Sequence, residues 1–271
     1  MSVQAVCFTL RISDRRIQME KIYMIPVNDA YNGTEECPFC FLKNKSENDY
    51  LEYYLGPSLM EPDTRKITNK TGFCPEHMGK LNKSVTNRLG LGLVMHTHLK
   101  DFHDDISKDM IAAAPSKAGI LKGRSSDYRS RLNDIADRID KRVAMCPICE
   151  KLNDAMKHYA EVTAWMYCHN DDFRKKFTET KYHCLPHTSM LLREASKLSQ
   201  NEASDFVSAL ASSSDLAFNE LIGDVEYFTL KFDYRNSDKP WGNSKNAIQR
   251  SMRFLSSDRR DFDEQLGKKQ S

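Results

Sequence analysis

The chain has 271 residues, enough for one large domain or two of ordinary size. Its 40 Lys and Arg residues nearly balance 38 Asp and Glu residues, so the formal net charge is only +2. A charge this small gives no strong nucleic-acid signal and no general attraction to an anionic membrane. The low content of Gly (11) and Pro (9) disfavours a turn-rich β architecture. Composition therefore favours an all-α protein.

Residues 1–18 form an N-terminal extension that is expected to be disordered. They contain a short apolar run, but no basic region precedes it and no small-residue cleavage site follows it, so they do not resemble a signal peptide. No apolar run in the chain approaches the roughly 18 to 20 residues that a membrane span requires. We therefore expect a cytoplasmic protein. In a reducing cytosol its eight cysteines are better explained as ligands or reactive thiols than as disulfides.

The first half of the chain carries a Cys-Pro-Phe-Cys motif made by Cys37 and Cys40. After 33 residues, "GFCPEH" supplies Cys74 and His77. Three thiols and one imidazole suit a closed tetrahedral zinc site. This quartet is therefore predicted to bind one metal ion.

Helical patterns surround these ligands. Apolar residues from Leu42 to Leu55 predict a long helix, "EPDTRKITNKTG" predicts a short one, and Gly72 is expected to end it. A third helix should begin at Cys-x-x-His and continue through "LNKSVTNRLGLGLVMHTHLKDF". Its glycines Gly90 and Gly92 lack the pattern of a nucleotide-binding loop and indicate close helix packing.

The second half repeats the motif. Cys146 and Cys149 stand in Cys-Pro-Ile-Cys, and "YHCLPH" follows after 34 residues with Cys184 and His187. Matched positions differ by 109 for the first two cysteines and by 110 for the last cysteine and histidine, which indicates an internal duplication with one inserted residue. A second Cys3His site is predicted. His183 is a competing ligand, so the histidine that completes this site is left open.

Further helices are predicted around the second motif. A charged helix precedes Cys146, and a regular apolar stripe after Cys149 predicts a helix to about Cys168. Asn170 or Asp171 should cap a shorter helix that follows. Another long amphipathic helix, a turn with Trp241 and a last helix complete the chain. The expected units are 19–122 and 123–255, each with one CPxC...CxxH set, and 256–271 is expected to be a flexible tail.

Proline accompanies every ligand pair. Pro38, Pro75 and Pro147 directly follow a cysteine, and Pro186 precedes His187. Proline is tolerated in the first turn of a helix because its missing N–H would be unpaired there anyway. All four ligand pairs are therefore expected at helix starts, where the helix dipole favours thiolates.

Three other groups of residues allow a functional interpretation, although ordinary structural roles explain each one better. They are the histidines His96, His98 and His103; the acidic residues Glu61 and Asp63; and the residues Arg235 and Trp241 in a C-terminal turn. Histidines need convergent partners to act, acidic residues commonly open helices, and an indole commonly packs within a turn.

The motifs around the two quartets resemble an uncharacterised bacterial family from anaerobic Firmicutes. The resemblance covers about residues 19 to 255 and includes "CPFCFLKNKSENDYLEYYLGPSLMEPD", "GFCPEH", "CPICEKL", "FRKKFTETKYHCLPH" and "KFDYRNSDKPWGNSKNAIQR". Some members carry the label of ABC-transporter substrate-binding protein, but this sequence shows no export signal. The resemblance implies that the eight cysteine and histidine ligands correspond to positions of the family, and it implies no reaction.

The sequence favours a cytoplasmic helical binding or scaffold protein with two structural zinc ions and a protein partner. Four protein ligands leave an ion no open position for a substrate, and no catalytic constellation is recognised, so an enzyme is disfavoured. Two alternatives stay open at this point. One is an iron–sulfur protein for electron transfer, and the other is a thiol–disulfide exchange protein that uses the Cys-Pro-x-Cys pairs.

Overall fold

A computed structural model describes residues 22–33, 37–84, 87–113 and 126–257. Within these ranges the regular secondary structure is helical and no strand occurs, which confirms the predicted all-α class. None of the described helices combines the length and the apolar character needed to cross a bilayer.

The α-helices are numbered in chain order. They are α1 (22–31), α2 (Pro38–Leu55), α3 (Pro62–Thr71), α4 (Pro75–Lys83), α5 (Arg88–Ala113), α6 (Ser126–Ala144), α7 (Pro147–His169), α8 (Asp171–Glu179), α9 (Leu185–Ala195), α10 (Gln200–Leu230) and α11 (Ala247–Ser256). Short 3-10 helices cover Pro57–Met60, Tyr234–Asn236 and Gly242–Asn246. Most of these helices lie where the sequence predicts them.

Several predicted helix boundaries are confirmed. Asn170 is the N-cap of α8, and its side chain accepts a hydrogen bond from the Phe173 N–H. Gly72 ends α3 with φ of 60°, a left-handed value that glycine adopts without steric cost. A side chain at this position would also meet the ring of His98, because a Cβ atom on residue 72 would lie 2.4 Å from His98 Nε2.

The third helix predicted for the first half is wrong, because two separate helices occupy that segment. It consists of α4, which ends at Lys83, and α5, which begins at Arg88. The side chain of Asn87 accepts a hydrogen bond from the Gly90 N–H at 2.8 Å, as an N-cap residue does. This local bond gives α5 a start of its own.

A similar break separates α9, which ends at Ala195, from α10, which begins at Gln200. Ser199 and Glu202 form a capping box at the start of α10, in which each side chain bonds the other residue's backbone N–H. Such reciprocal caps satisfy two N–H groups that the first helical turn leaves unpaired.

The chain divides into two compact units. The discontinuous unit joins the described residues up to Asn44 with those from Ala155 onward, and the continuous unit is Lys45–Asp154. These units differ from the consecutive ranges 19–122 and 123–255 expected from the repeated motifs. The expected boundary at residues 122 and 123, the extension 1–18 and most of the tail lie outside the described residues.

Each unit has its own buried apolar residues. In the continuous unit a core cluster contains Tyr54, Leu55, Phe73, Leu81, Val94, Cys146 and Ile148. In the discontinuous unit the most deeply buried large side chains include Phe39, Phe173, Phe177, Leu191, Phe206, Leu210 and Phe254. The first group includes Cys146 and Ile148 and the second includes Phe39, so residues of both CPxC motifs take part in hydrophobic packing.

Candidate metal centres

Cluster 1, in the discontinuous unit, joins the starts of α2 and α9. It consists of Cys37, Cys40, Cys184 and His187, all of them buried. The Cys184 Sγ atom lies 3.7 Å from the Sγ atoms of both Cys37 and Cys40. His187 Nδ1 lies 3.5, 3.6 and 2.9 Å from the sulfurs of Cys37, Cys40 and Cys184. Four donor atoms therefore converge on one point.

Cluster 2, in the continuous unit, joins the starts of α4 and α7. It consists of Cys74, His77, Cys146 and Cys149, of which Cys74 and Cys149 are partly exposed. The sulfurs of Cys74 and Cys149 lie 3.7 Å apart. His77 Nδ1 lies 3.1, 3.4 and 3.3 Å from the sulfurs of Cys74, Cys146 and Cys149. In each cluster the four donor atoms all lie within 4.8 Å of one another.

The prediction of two Cys3His clusters is confirmed, but the predicted membership of each cluster is wrong. Each Cys-Pro-x-Cys motif was expected to share a site with the Cys-x-x-His that follows it in the chain. Instead, Cys37 and Cys40 meet Cys184 and His187, while Cys74 and His77 meet the motif at residues 146–149. The histidine that the structure brings into cluster 1 is His187.

Local backbone structure explains how two residues three positions apart can act together. Cys74 and Cys184 are N-cap residues with extended backbone, at φ −67° and ψ 161° and at φ −64° and ψ 154°. The helix begins immediately after each cysteine, so the histidine three positions later returns to the same side after one turn. The prediction that ligand pairs lie at helix starts is confirmed.

Electrostatics distinguish the thiols within each cluster. Burial opposes ionisation of Cys37, but hydrogen bonds with Cys184, Cys40 and His187 hold its pKa well below the usual value. The neighbouring Cys37 and Cys40 thiols in turn raise the pKa of Cys184. Without a cation the cluster therefore favours the thiolate of Cys37 and disfavours ionisation of Cys184. A bound cation removes this restriction, because a coordinated thiol loses its proton.

Cluster 2 shows the same pattern. Burial alone would raise the pKa of Cys146, but hydrogen bonds with His77 and with the backbone lower it to about 6. Burial and the Cys146 charge raise the pKa of Cys149. A set of three cysteines and one histidine in this state is suited to binding a divalent cation.

Glu47 contacts cluster 2 and was not found by sequence reasoning. Its carboxylate accepts a hydrogen bond from His77 Nε2 at 3.0 Å and two from Lys80 Nζ at 2.6 and 2.7 Å. Burial would raise the pKa of Glu47, but these hydrogen bonds lower it to about 2. Burial also opposes protonation of His77, yet bonds with Cys146, Glu47 and Cys74 raise its pKa to about 10. Glu47 thus fixes the ring so that Nδ1 faces the sulfurs.

His183 lies outside the donor set of cluster 1. Its Nε2 atom is 2.8 Å from the Tyr31 hydroxyl, with which it forms a buried hydrogen bond. The ring also stacks on Phe177 with 5.0 Å between centroids. Burial lowers the pKa of His183 to about 4, so the ring is neutral at pH 7. His183 therefore packs beside cluster 1 as a structural residue.

The secondary candidates from the sequence have separate local partners. His98 donates from Nδ1 to the Asn69 carbonyl at 2.7 Å. Glu61 accepts a hydrogen bond from Tyr53. Among the described residues the two clusters are the groups of cysteine, histidine and carboxylate side chains positioned to share an ion. The three groups of secondary candidates are not brought together with them.

The seven described cysteines are free thiols. The separation of 3.7 Å between neighbouring sulfurs is well beyond the roughly 2.05 Å of a disulfide bond. Four donors on two helix starts are also more than a dithiol exchange pair requires. The arrangement of these donors could hold a metal ion.

Comparison with known proteins shows which family the chain belongs to. Residues 19–261 match the sequence model described as "Family of unknown function (DUF6062)". The chain belongs to this family. A relative from Caldicellulosiruptor sp. (strain Rt8B.4), described as an "Uncharacterized 23.9 kDa protein in xynA 3'region", is 22% identical over 202 residues, which are 74% of this chain and 85% of the relative. No solved structure matches the chain.

Membership of this family confirms the expected resemblance to an uncharacterised family. The origin in Firmicutes and the presence of the CPxC motifs throughout the family stay predictions, as does the internal duplication. The match neither names a reaction nor assigns a metal. Function is therefore inferred from the two clusters themselves.

Proposed function

We propose that the protein binds two zinc ions, one in each cluster, and that these ions have a structural role. The distances between donor atoms carry the proposal. Zn–S bonds of about 2.3 Å and Zn–N bonds of about 2.05 Å in a tetrahedron place two sulfurs about 3.8 Å apart and a sulfur and a nitrogen about 3.6 Å apart. Three pairs of sulfurs here are 3.7 Å apart. Four of the six sulfur–nitrogen distances are 3.3 to 3.6 Å, and the two within the Cys-x-x-His motifs are 2.9 and 3.1 Å.

The same distances support zinc over an iron–sulfur cluster. In such a cluster the protein ligands bind different iron atoms, so they surround a larger object than one ion. All four donor atoms of each set here lie within 4.8 Å of one another. Donors this close suit a single tetrahedral ion, and three thiolates with one imidazole are a common set for structural zinc.

A structural role is supported by the number of donors and by their burial. Four protein donors complete a tetrahedral shell, whereas catalytic zinc sites keep a position for water or substrate. Each ion would join two helix starts that are far apart in the chain, such as Cys40 and Cys184, which are 144 positions apart. Binding free energies of structural zinc are about 10 to 16 kcal/mol in small zinc-finger peptides. Two such sites can therefore decide the stability of the whole fold.

We further propose that this stabilised helical protein works in the cytoplasm as a scaffold for a protein partner. A loop after α10 supports this proposal. Lys231 is buried, and its Nζ donates to the carbonyls of Asn236, Ser237 and Lys239 at 2.6, 2.8 and 2.6 Å. The ordered loop leaves Phe232 76% exposed. Aromatic side chains are enriched in protein interfaces, and an exposed Phe232 suits contact with a partner.

Zinc analysis of paired variants tests both the metal and the pairing. Protein purified without added metal should contain about two zinc ions per chain and no iron or sulfide. A Cys37→Ser and Cys184→Ser double variant damages one cluster and should keep about one ion. A Cys37→Ser and Cys74→Ser double variant damages both and should keep none. The opposite order of zinc contents would refute the pairing, and iron with sulfide would refute the metal assignment.

A further inference from the structure

The two clusters differ in their access to solvent. Cys37, Cys40, Cys184 and His187 of cluster 1 are 4, 8, 1 and 4% exposed. Cys74 and Cys149 of cluster 2 are only partly buried. Two sets with the same chemical composition therefore present different thiols to small molecules in solution.

Aromatic packing explains the protection of cluster 1. The Phe39 ring is fully buried and lies 5.6 Å from the His187 ring between centroids. Tyr31 from α1 bonds His183 and packs against Phe173 with 4.9 Å between centroids. The helix that precedes the cysteine motif thus supplies a buried side chain to the surroundings of cluster 1.

The helix that precedes the motif of cluster 2 has a different environment. Every α6 residue from Tyr128 to Ala144 is exposed or only partly buried. Its contacts with α5 include ion pairs of Arg138 with Asp105 at 2.9 Å and of Arg142 with Asp101 at 2.7 Å. Such a polar contact supplies no buried aromatic cover. Cys74 and Cys149 pack against the core that contains Tyr54 and Phe73, but both stay partly exposed.

The exposed thiols of cluster 2 are also neighbours. Their sulfurs are 3.7 Å apart, so forming an S–S bond of about 2.05 Å requires an approach of roughly 1.7 Å. They belong to different helix starts, those of α4 and α7. Modest movement of one side chain and one helix end can therefore bring them together.

We propose that Cys74 and Cys149 form a peroxide-sensitive thiol pair that releases the ion of cluster 2 while cluster 1 keeps its own. The proposal rests on the proposed function, because it assumes that both clusters bind zinc. It assigns a regulatory modification to one of two sites in the same chain. The relevant reactant is hydrogen peroxide or another small hydroperoxide, which is compact enough to reach a partly exposed sulfur.

The reaction balances with peroxide as the oxidant. One of the two thiolates attacks a peroxide oxygen, the O–O bond breaks, and a sulfenic acid and hydroxide form. The second thiolate attacks that sulfenic sulfur, the S–O bond breaks, and a disulfide and a second hydroxide form. Two protons convert the hydroxides to water. Two electrons pass from the sulfurs to peroxide, and cluster 2 loses two of its four donors.

The test treats zinc-loaded full-length protein with hydrogen peroxide and follows two quantities. Released zinc is measured with a colorimetric chelator, and disulfides are mapped by mass spectrometry after the remaining thiols are alkylated. We expect one of two ions to be released at least about tenfold faster than the other, together with a disulfide between Cys74 and Cys149. Dithiothreitol and added zinc should restore the original content.

Cluster 1 is the matched control, since it has the same donors in a buried setting. Equal release rates of the two ions, or first oxidation of the Cys37 and Cys40 motif, would overturn the proposal. A first disulfide between Cys146 and Cys149 would overturn the assignment of the pair. Protein that contains no zinc before treatment would refute the proposed function and the ion release with it, whereas the mapped disulfide tests the thiol pair separately.

Discussion

Replacing Glu47 with glutamine should weaken metal binding at cluster 2 alone. The Glu47 carboxylate accepts from two donors, His77 Nε2 and Lys80 Nζ. Glutamine has nearly the same shape, but it carries no charge and replaces one acceptor oxygen with an NH2 donor, so the bonds to His77 and Lys80 lose their anionic acceptor and one of the two Lys80 bonds is lost. Loss of one charge-assisted hydrogen bond is worth about 1.5 to 3 kcal/mol. Loss of a carboxylate behind a ligating histidine usually lowers metal affinity about 10- to 100-fold.

The two estimates agree, because a tenfold change in affinity corresponds to about 1.4 kcal/mol. A graded chelator titration of the two-zinc protein measures the effect. The Glu47→Gln variant should lose one ion at a 10- to 100-fold lower chelator concentration than the parent protein, and its second ion should be unaffected. Lys80 keeps Glu76 as a partner at 2.9 Å, so the lysine is not left without an ion pair.

Glu194→Gln provides the control. Glu194 is similarly buried, at 9% exposure, and it pairs with Lys197 through bonds of 2.7 and 2.6 Å. Neither residue of this pair belongs to a cluster. The control variant should release both ions as the parent does. Unchanged affinity in Glu47→Gln, or an equal change in both variants, would show that the Glu47 bond to His77 does not support metal binding.

Two further predictions concern the surrounding fold. Gly72→Ala combines a left-handed φ with a clash against His98, so it should lower the free energy of unfolding by about 2 to 4 kcal/mol. At Gly92 an added Cβ meets open space, so Gly92→Ala should raise the free energy of unfolding by up to about 1 kcal/mol. Chemical denaturation measures both variants, and equal effects on stability would contradict the reasoning. Burial and Asp205 raise the pKa of Tyr167 to about 12, so the stability that Tyr167 contributes is fully present below about pH 10 and is lost as the pH rises toward 12. Ultraviolet titration should show one late-ionising tyrosine fewer in Tyr167→Phe, and an unchanged titration would refute the assignment.

The helices were predictable because their signals are local. The Asn170 cap, the Gly72 ending and the prolines beside the cysteines each act within one helical turn. The break between α4 and α5 was missed, because apolar residues continue across it and Asn87 acts through a single hydrogen bond. A periodic pattern identifies helical character more reliably than it identifies the end of a helix.

The eight cluster residues were predictable, whereas their pairing was not. Either pairing gives two sets of three cysteines and one histidine, so ligand chemistry cannot distinguish them. Distance along the chain is a weak guide as well. Cys40 is 34 positions from Cys74 and 144 from Cys184, and closing the longer loop costs only about 1.3 kcal/mol more. Burial of a few apolar side chains within each unit can outweigh a difference of that size.

Glu47 was missed for a different reason. It lies in the polar stretch "KNKSEND", where a charged residue is normally exposed. Its burial depends on His77 and Lys80, which are 30 and 33 positions away. A carboxylate that supports a metal ligand has no spacing rule of its own, so only the folded structure reveals it.

Because each CPxC motif shares a cluster with the Cys-x-x-His motif of the other half, the two clusters become complete at different times during synthesis. Cys40 and His187 are separated by 147 positions, so the first cysteine motif leaves the ribosome well before its partners exist. At about 5 to 20 residues per second, this interval lasts about 7 to 30 s. Cluster 2 has all its ligands once Cys149 has been made, whereas cluster 1 must wait for His187. A nascent chain stalled in its first half can complete neither site.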